Sequence, residues 1–191
     1  MFSGISKKWI AIKLSIKHGR SIGDNVQIIR PRLINCPKGS LYIGKDLFAG
    51  PGLYISMNSY CKLTINDAIM FGPDIMILGG NHDYSYNSNY LRYHSQDDKK
   101  SKNISIENGA WLGARTILLS GANIGEGTII GAGSLVNHYI PPYTIAAGVP
   151  ARIMKPRFKT NQELKTVLRA TNSKYTIEQV VLLIEQSGVK Y

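Results

Sequence analysis

The sequence predicts a mainly β protein built as a three-sided solenoid of short strands. From residue 104 to residue 136 an aliphatic residue recurs every six positions, and glycine directly follows three of them. An amphipathic helix would need apolar residues at i, i+3, i+4 and i+7, which this run does not keep. A six-residue unit instead suits one short strand and one tight corner. The aliphatic positions are Ile106, Leu112, Leu118, Ile124, Ile130 and Val136, and the glycines are Gly113, Gly125 and Gly131.

Three such units complete one turn of the solenoid. Residues eighteen positions apart are therefore predicted to stack, and each coil covers the apolar floor of the next, so that no single coil is stable alone. Glycine at the corners lets the backbone turn, including at positive φ. The predicted stacked pairs are Ile106 with Ile124, Leu112 with Ile130, and Leu118 with Val136.

A less regular part of the same repeat precedes this run. Its frame shifts at residues 37–40 and again before Ile65, as expected where loops leave the corners. The predicted inward positions are Ile22, Ile28, Ile34, Ile43, Ala49, Ile55, Cys61, Ile65, Phe71 and Ile77.

Residues 81–103 break the period completely. They are polar and rich in tyrosine, and they are too many for a corner, so we expect an arm that leaves the solenoid. Its tyrosines suit either stacking on sugar rings or contact with a neighbouring chain. These tyrosines are Tyr84, Tyr86, Tyr90 and Tyr93.

The C-terminal region predicts two helices, residues 161–170 and 176–186. Asn161 and Thr176 are the expected N-caps, and Gly188 is the expected stop. We interpret the helices as a structural cap rather than as acceptor-recognition elements. The predicted division is a basic leader (1–21), a repeat domain (22–156) with the loop 81–103, and a helical cap (157–191). The leader's apolar run is too short to span a bilayer. The leader is therefore expected either to pack on the end of the solenoid or to contact a membrane surface.

The charge and the cysteines restrict the partners and the compartment. A formal charge of +11 favours anionic partners, but no nucleic-acid-binding signature accompanies it. The basic residues gather at 7–32 and 152–174, which suits a phosphate-bearing cofactor. Cys36 and Cys61 form no C-x-x-C motif, and this indicates a reduced, cytoplasmic compartment. A membrane-surface contact of the basic leader would place the protein at the inner face of the membrane.

Two stretches carry a family resemblance. W-L-G-A-R-T-I-L-L-S-G-A-N-I-G-E-G-T-I-I-G-A-G-S-L-V, from Trp111, and I-P-P-Y-T-I-A-A-G-V-P-A-R, from Ile140, resemble the hexapeptide-repeat acyltransferases. The chain is most similar to the galactoside/maltose O-acetyltransferases and to the virginiamycin and chloramphenicol acetyltransferases, over roughly residues 22–156. The resemblance implies a left-handed parallel β-helix, an exception to the right-handed crossover rule. It also implies acetyl-CoA as donor, no metal, and a homotrimer with each active site between two chains.

The resemblance implies that His82 is the catalytic base. Acyl transfer from a thioester needs a group that takes the proton from the attacking hydroxyl, and neutral imidazole does this near pH 7. His82 stands where the hexads stop and the arm begins, in I-L-G-G-N-H-D-Y. It matches the family's catalytic histidine.

The same resemblance implies donor and acceptor positions. The backbone of Ala114 and Ala132 would form hydrogen bonds with the pantetheine amides. The alternative is that the corner geometry alone requires small residues there, even in a solenoid that binds no ligand. The other donor positions are Asn137, Arg152, Lys155 and Trp111, the last of which is alternatively a core aromatic. His138 stands in a turn where the resembled family usually has a lysine, so this chain departs there from the family pattern for the phosphate contact. The acceptor side departs from the family pattern and leaves Asn58, Tyr54 and Asp83 as weak substitutes.

The predicted activity is O-acetylation of a sugar or polysaccharide hydroxyl, in the setting of surface-polysaccharide modification. N-acetylation of an amino-sugar nucleotide is an open alternative. Two others are a non-catalytic scaffold and a γ-class carbonic anhydrase. The last needs three zinc-binding histidines, and His82, His94 and His138 do not show its spacing.

Overall fold

The computed structural model describes Leu14 and residues 21–94 and 98–191. In this part of the chain the strands form three sheets, which we number in the order in which each coil visits them. Sheet 1 contains β1 (Gln27–Ile28), β4 (Phe48–Ala49), β7 (Met70–Phe71), β10 (Trp111–Leu112), β13 (Ile129–Ile130), β16 (Thr144–Gly148) and β17 (Ala151–Pro156). Sheet 2 contains β2 (Leu33–Asn35), β5 (Tyr54–Met57), β8 (Met76–Gly79), β11 (Ile117–Leu119) and β14 (Leu135–Val136). Sheet 3 contains β3 (Leu41–Ile43), β6 (Leu63–Ile65), β9 (Ile104–Ile106), β12 (Asn123–Ile124) and β15 (Tyr139–Ile140).

The predicted three-sided solenoid is confirmed. Every pairing within sheets 2 and 3 is parallel and joins strands one coil apart. The three predicted stacks occur in register, with Ile106 beside Ile124, Leu112 beside Ile130 and Leu118 beside Val136. All six of these side chains are fully buried.

The earlier, irregular coils keep the same inward columns. From Ile43 to Ile77 the predicted inward residues are all buried, including Cys61. Ile22 and Ile34 are only partly buried although they pack against the core. They lie at the start of the solenoid, where the described residues supply a neighbouring coil on one side only. Leu14 also joins the core, whereas the rest of the predicted leader, except Ser21, lies outside the described residues.

At the corner between sheets 1 and 2, successive coils contact each other through backbone atoms. At the corner between sheets 1 and 2, a Cβ on Gly113 would lie 2.5 Å from the backbone nitrogen of Ala132. A Cβ on Gly72 would lie 2.7 Å from the backbone nitrogen of Ala114. Successive corners therefore touch without side chains between them, which is why glycine follows the aliphatic residue at these turns.

The arm and the C-terminal helices complete the chain. The arm joins β8 to β9 and contains a short 3₁₀ helix, Leu91–Tyr93. The helices are α1 (Asn161–Ala170) and α2 (Ile177–Gln186). Thr176 caps α2 as predicted. The prediction that Asn161 caps α1 is wrong by one residue: Thr160 is the N-cap, because its side chain and that of Glu163 form a reciprocal capping box.

The helices form a small core of their own beside the last corner of the solenoid. Leu164 and Leu168 of α1 and Val180 and Ile184 of α2 pack with Tyr143. The end of sheet 1 is paired by β17, which returns antiparallel to β16. The helices thus lie against the corner between sheets 3 and 1. The division of the chain into residues 1–21, 22–156 and 157–191 is a proposal.

Polar contacts, one of them fully buried, fix this appendage to the solenoid. The Tyr143 hydroxyl donates to Glu126 Oε1 at 2.5 Å, and both residues are buried. Glu107 binds Lys174 Nζ at 2.6 Å and accepts from the Tyr175 hydroxyl at 2.9 Å. Burial and the Glu107 carboxylate raise the pKa of Tyr175, so that its hydroxyl stays a donor. Among the described residues, no helix is long and apolar enough to cross a bilayer.

Replacing Tyr143 by phenylalanine removes the hydroxyl that partners the buried Glu126 carboxylate. We expect Tyr143→Phe to lower the free energy of unfolding by about 1–3 kcal/mol, because a buried acceptor keeps its desolvation cost when its donor is removed. Urea unfolding at one fixed protein concentration measures this change. Tyr42→Phe is the matched control, since Tyr42 is 45% exposed on the outer face of sheet 3. Equal stability of the two variants would contradict this role of the hydrogen bond.

Candidate active site

His82 lies at the edge between sheets 2 and 3, where the arm leaves β8. Its side chain is exposed. It lines a cavity of about 330 Å³ together with Asn58 and the backbone of Gly79 and Gly80. Asn58 occupies the same edge one coil earlier, after β5. The structure therefore brings together the predicted base and one of the three predicted acceptor residues.

The base of the arm is fixed beside His82 by Ser101. The Ser101 hydroxyl accepts from Asn58 Nδ2 and from the backbone N–H of Asn81, both at 3.2 Å, and donates to the Asp98 carbonyl at 2.7 Å. Gly80 has a φ of +100°, and a Cβ there would lie 2.1 Å from the Asn58 amide carbon. Asn58 is thus a support of the arm as well as a cavity wall. No pattern in the sequence pointed to Ser101, because its hydrogen-bond partners lie up to 43 residues away.

Tyr54 and Asp83, the other predicted acceptor residues, do not line this cavity. Tyr54 lies on the outer face of sheet 2, in register with Met76. Asp83 accepts from the hydroxyl and the backbone N–H of Ser85 at 2.5 and 2.9 Å, and these bonds lower the pKa of its carboxyl. His94 lies 4.0 Å from Asp83 and stacks on Tyr86 with ring centroids 3.8 Å apart. These contacts shape the arm itself, while Tyr84, Tyr90 and Tyr93 are about three-quarters exposed.

The predicted pantetheine positions lie at the opposite edge of sheet 2. Ala114 and Ala132 follow β10 and β13 at successive corners between sheets 1 and 2, and Ala132 is exposed. Trp111 immediately precedes this corner and is 45% exposed on the outer face of sheet 1. The alternative that Trp111 is a core aromatic is therefore wrong.

Asn137 and Arg152 line a second cavity, of about 720 Å³, at the C-terminal end of the solenoid. Its walls come from the turn between β14 and β15, from β17 and from the end of α2. Lys155, the other predicted basic residue, is exposed but lies outside this lining. The sequence predicted the helices mainly as a structural cap, and it did not indicate that Leu183 and Gln186 line the cavity.

Within one chain, these positions occupy two separate edges of sheet 2. His82 and Asn137 share the edge with sheet 3, two strand steps apart, which corresponds to about 10 Å along the solenoid. Ala114 and Ala132 share the edge with sheet 1. A single chain therefore does not bring the predicted base next to the predicted pantetheine positions.

The outer faces of the three sheets differ in polarity. On sheet 2 the first outward position of each strand is apolar or aromatic throughout; the column is Leu33, Tyr54, Met76, Ile117 and Leu135. On sheet 1 the outward column contains Phe48, Met70 and Trp111, which are 41%, 50% and 45% exposed. On sheet 3 the central outward residues are Thr64, Ser105 and Asn123, with the Ser105 hydroxyl donating to Asn123 at 2.6 Å.

No group of three His, Cys, Asp or Glu side chains in residues 21–94 and 98–191 is arranged to hold a metal ion.

Comparison with known proteins places the repeat in a described family. The family model described as bacterial transferase hexapeptide (six repeats) matches residues 103–138 of this chain. The galactoside O-acetyltransferase of Escherichia coli (strain K12) is 30% identical over 135 residues, which cover 71% of this chain and 63% of that protein. The alignment thus spans less than two thirds of the relative. The putative lipopolysaccharide biosynthesis O-acetyl transferase WbbJ of the same strain is 29% identical over 167 residues, covering 74% of this chain and 83% of that protein.

A solved structure supports the fold. The hexapeptide-repeat acetyltransferase of Vibrio cholerae O1 biovar eltor, in complex with acetyl coenzyme A, superposes with a TM-score of 0.63 at 24% identity and covers 83% of this chain and 80% of that chain. The predicted left-handed parallel β-helix is thereby confirmed.

Replacing Ser101 by alanine removes the hydroxyl that joins Asn58, Asn81 and Asp98. We expect Ser101→Ala to accelerate amide hydrogen exchange at Asn81 by roughly tenfold, since each lost hydrogen bond contributes about 1 kcal/mol to keeping the segment closed. Hydrogen–deuterium exchange with peptide-level mass spectrometry measures this. Ser88→Ala, at an exposed position of the same arm, is the control. Unchanged exchange in Ser101→Ala would mean that other contacts hold the arm.

Proposed function

Because the chain belongs to the hexapeptide-repeat transferase family, we propose that it transfers an acetyl group from acetyl-CoA to a hydroxyl of a sugar or polysaccharide. The observation that carries the proposal is the position of His82, exposed in a cavity at one edge of sheet 2. The small-residue corners predicted to bind the donor lie at the other edge of the same sheet.

His82 acts as the general base in this proposal. Its imidazole takes the proton of the acceptor hydroxyl, whose oxygen attacks the acetyl carbonyl. The carbon–oxygen bond forms, the carbon–sulfur bond breaks, and the leaving CoA sulfur takes a proton. Backbone N–H groups near the site stabilise the oxyanion. The proposed step forms no covalent intermediate with the protein, so donor and acceptor are bound together.

In this proposal the donor, acetyl-CoA, lies along the solenoid, with its pantetheine arm and its phosphates at different residues. The backbone N–H groups of Ala114 and Ala132 are proposed to bond the pantetheine amides, since the Ala114 carbonyl already accepts from Gly133 N–H at 2.8 Å, and Trp111 lies beside them. Arg152 and Lys155 carry the charge that binds the phosphates through charge-assisted hydrogen bonds. Asn137 contributes from the edge that carries His82.

A homotrimer unites the two edges of sheet 2. Three copies with their sheets 2 arranged around a common threefold axis place the Ala114 corner of one copy beside the His82 edge of the next. Closed cyclic packing of this kind is common among homo-oligomers. The apolar outer column of sheet 2 supports it, because that column would be buried at the axis, while the polar face of sheet 3 stays outside.

The acceptor is proposed to be a glycan, in line with the relatives named as galactoside and putative lipopolysaccharide O-acetyl transferases. Of the weak acceptor positions, Asn58 is the one that shares the His82 cavity. A thiol-release assay with acetyl-CoA tests the proposal against a panel of sugars, oligosaccharides and nucleotide amino sugars. Transfer to an amine of a nucleotide sugar would favour N-acetylation instead, and no transfer together with no CoA affinity would favour a scaffold.

The His82→Ala variant tests the base. We expect turnover to fall by roughly 10²–10⁴-fold, the usual contribution of a general base, with the oligomer intact. Thiol release at saturating donor measures turnover, and light scattering measures mass. His94→Gln is the matched control, since His94 belongs to the same arm but stacks on Tyr86; its turnover should stay within about tenfold. Near-normal turnover of His82→Ala would reject the assignment.

A charge on the outer face of sheet 2 tests the assembly. We expect Ile117→Lys to dissociate the trimer, because each copy would bury an unpaired ammonium near the axis, at several kcal/mol per charge. Turnover should fall with the trimer, since each site needs two copies. Size-exclusion chromatography with light scattering follows the mass. Thr64→Lys, on the outer face of sheet 3, should remain trimeric; a monomeric Thr64→Lys with a trimeric Ile117→Lys would assign the interface to sheet 3.

A further inference from the structure

A cavity of about 310 Å³ lies on the outer face of sheet 2, at its corner with sheet 1, and no residue that lines it takes part in the proposed acetyl transfer. Its floor consists of the half-buried side chains of Met76 and Ile117, which are paired in register on β8 and β11. Arg32, Asp74 and Arg115 form its walls. Its volume lies at the lower end of the ~300–1,000 Å³ of small-molecule sites.

The corner between sheets 1 and 2 brings these charges together because successive coils place the same backbone position above one another. Gly52, Asp74 and Arg115 occupy that position in three successive coils, each with a positive φ. Backbone hydrogen bonds join the coils there, from the Asp74 N–H to the Pro51 carbonyl and from the Arg115 N–H to the Pro73 carbonyl, both at 2.8 Å. Glycine at position 52 leaves room for the Asp74 carboxylate, since a Cβ there would overlap it.

The charged groups of this cavity are not matched within the chain. Among the described residues, the side chains of Asp74 and Arg115 form no hydrogen bond or ion pair with another residue. Arg32 donates one long hydrogen bond, from Nε to the Gly52 carbonyl at 3.4 Å. Two guanidinium groups and one carboxylate therefore keep most of their hydrogen-bonding capacity for a ligand, with an excess of one positive charge.

These groups match the chemistry of a sugar that carries a carboxylate. A guanidinium binds a carboxylate through two parallel, charge-assisted hydrogen bonds. An ionised aspartate only accepts hydrogen bonds, so Asp74 suits sugar hydroxyls and disfavours a ligand with several negative charges. Met76 and Ile117 offer an apolar surface to the C–H face of a sugar ring. A neutral sugar would use the floor and Asp74 but would leave the guanidinium groups without an anion.

We propose that this cavity binds a uronic acid residue of the acceptor glycan. The inference rests on the proposed function and narrows its acceptor to an anionic glycan. In the proposed trimer the Ala114 corner of one copy lies beside the His82 edge of the next, and Arg115 directly follows Ala114. The uronic acid is then held by one copy, while a hydroxyl of a neighbouring sugar in the same glycan reaches His82 of the next copy.

Matched methyl glycosides test the cavity directly. Titrations followed by saturation-transfer difference NMR compare methyl glucuronide with methyl glucoside, and methyl galacturonide with methyl galactoside. At least one uronide should bind the wild-type protein roughly tenfold more tightly than its neutral partner, because only the uronide forms charge-assisted hydrogen bonds with the arginines. The preference should shrink as the sodium chloride concentration is raised. Equal binding, or no binding, in both pairs overturns the inference.

Substitution of the arginines tests which residues carry the preference. Arg115→Gln and Arg32→Gln should each lower the affinity for the uronide by roughly tenfold and leave the affinity for the neutral glycoside unchanged. Arg115→Lys keeps the charge but loses the planar fork, so its affinity for the uronide should be intermediate. Arg92→Gln removes the same charge from an exposed position of the arm and should bind like the wild type. A preference that persists in both glutamine variants of the cavity overturns the assignment to this site.

Thiol release from acetyl-CoA connects the cavity to the reaction. With a uronic-acid-containing oligosaccharide as acceptor, Arg115→Gln and Arg32→Gln should raise the acceptor KM by roughly tenfold and leave the donor KM unchanged. Reduction of the carboxyl groups of that oligosaccharide should have the same effect on the wild type.

The outcomes separate this inference from the proposed function. Equal transfer to the acidic oligosaccharide and to its reduced form overturns the inference and leaves the proposed acetyl transfer intact. A uronide preference in binding, without CoA affinity or thiol release, overturns the proposed function and retains the acidic-sugar site. Loss of oligomeric mass in Arg115→Gln, with no uronide preference in the wild type, assigns the arginine to contact between copies instead.

Discussion

The structure depends on the stacking of aliphatic side chains from one coil onto the next. Each coil has three short strands, and from β3 onwards every strand gives at least one buried residue to a column that runs along the solenoid. The column is continuous because successive corners meet backbone to backbone, as Gly113 does with Ala132. A side chain at such a corner would separate the coils and open all three columns. The spacing of six is thus a packing requirement rather than a strand propensity.

Regular stacking also determines where chemistry is possible. The inward positions are filled, so reactive groups are confined to edges and outer faces. His82 lies on an edge at the point where the chain leaves the repeat for 24 residues between β8 and β9. Ser101 returns the arm to the same edge and holds Asn58 beside it. The cavity at His82 is therefore a consequence of where the period is interrupted, and the regular coils on either side keep it in place.

The helical appendage has a larger role than covering hydrophobic surface. Its attachment combines the buried Tyr143–Glu126 hydrogen bond with partly exposed contacts of Glu107 to Lys174 and Tyr175, and these polar contacts fix its orientation as well as its presence. With α2 held in this orientation, its last turn faces β17 and the turn after β14. The cavity there combines a cation, a histidine and an uncharged helix end, and none of these elements is adjacent to another in sequence.

Much of the solenoid follows from the sequence alone. The inward residues from Ile43 to Val136, the excursion of residues 81–103 and the two helices were predictable because each depends on local spacing or local capping. The N-cap of α1 was misplaced by one residue because Thr160, three residues before Glu163, forms a capping box with it, whereas Asn161 does not. Handedness followed only from the family resemblance, since a period of six is compatible with either hand.

The sequence determined the identity of the inward columns and the position of His82 at their interruption, because both are set by intervals along the chain. The tertiary structure alone decided which residues share a site. It placed Asn58 with His82, separated Ala114 from His82 by the width of sheet 2, exposed Trp111, and joined Arg152 to α2. These relations depend on which edge each corner occupies and on how distant segments pack, and spacing along the chain does not encode them.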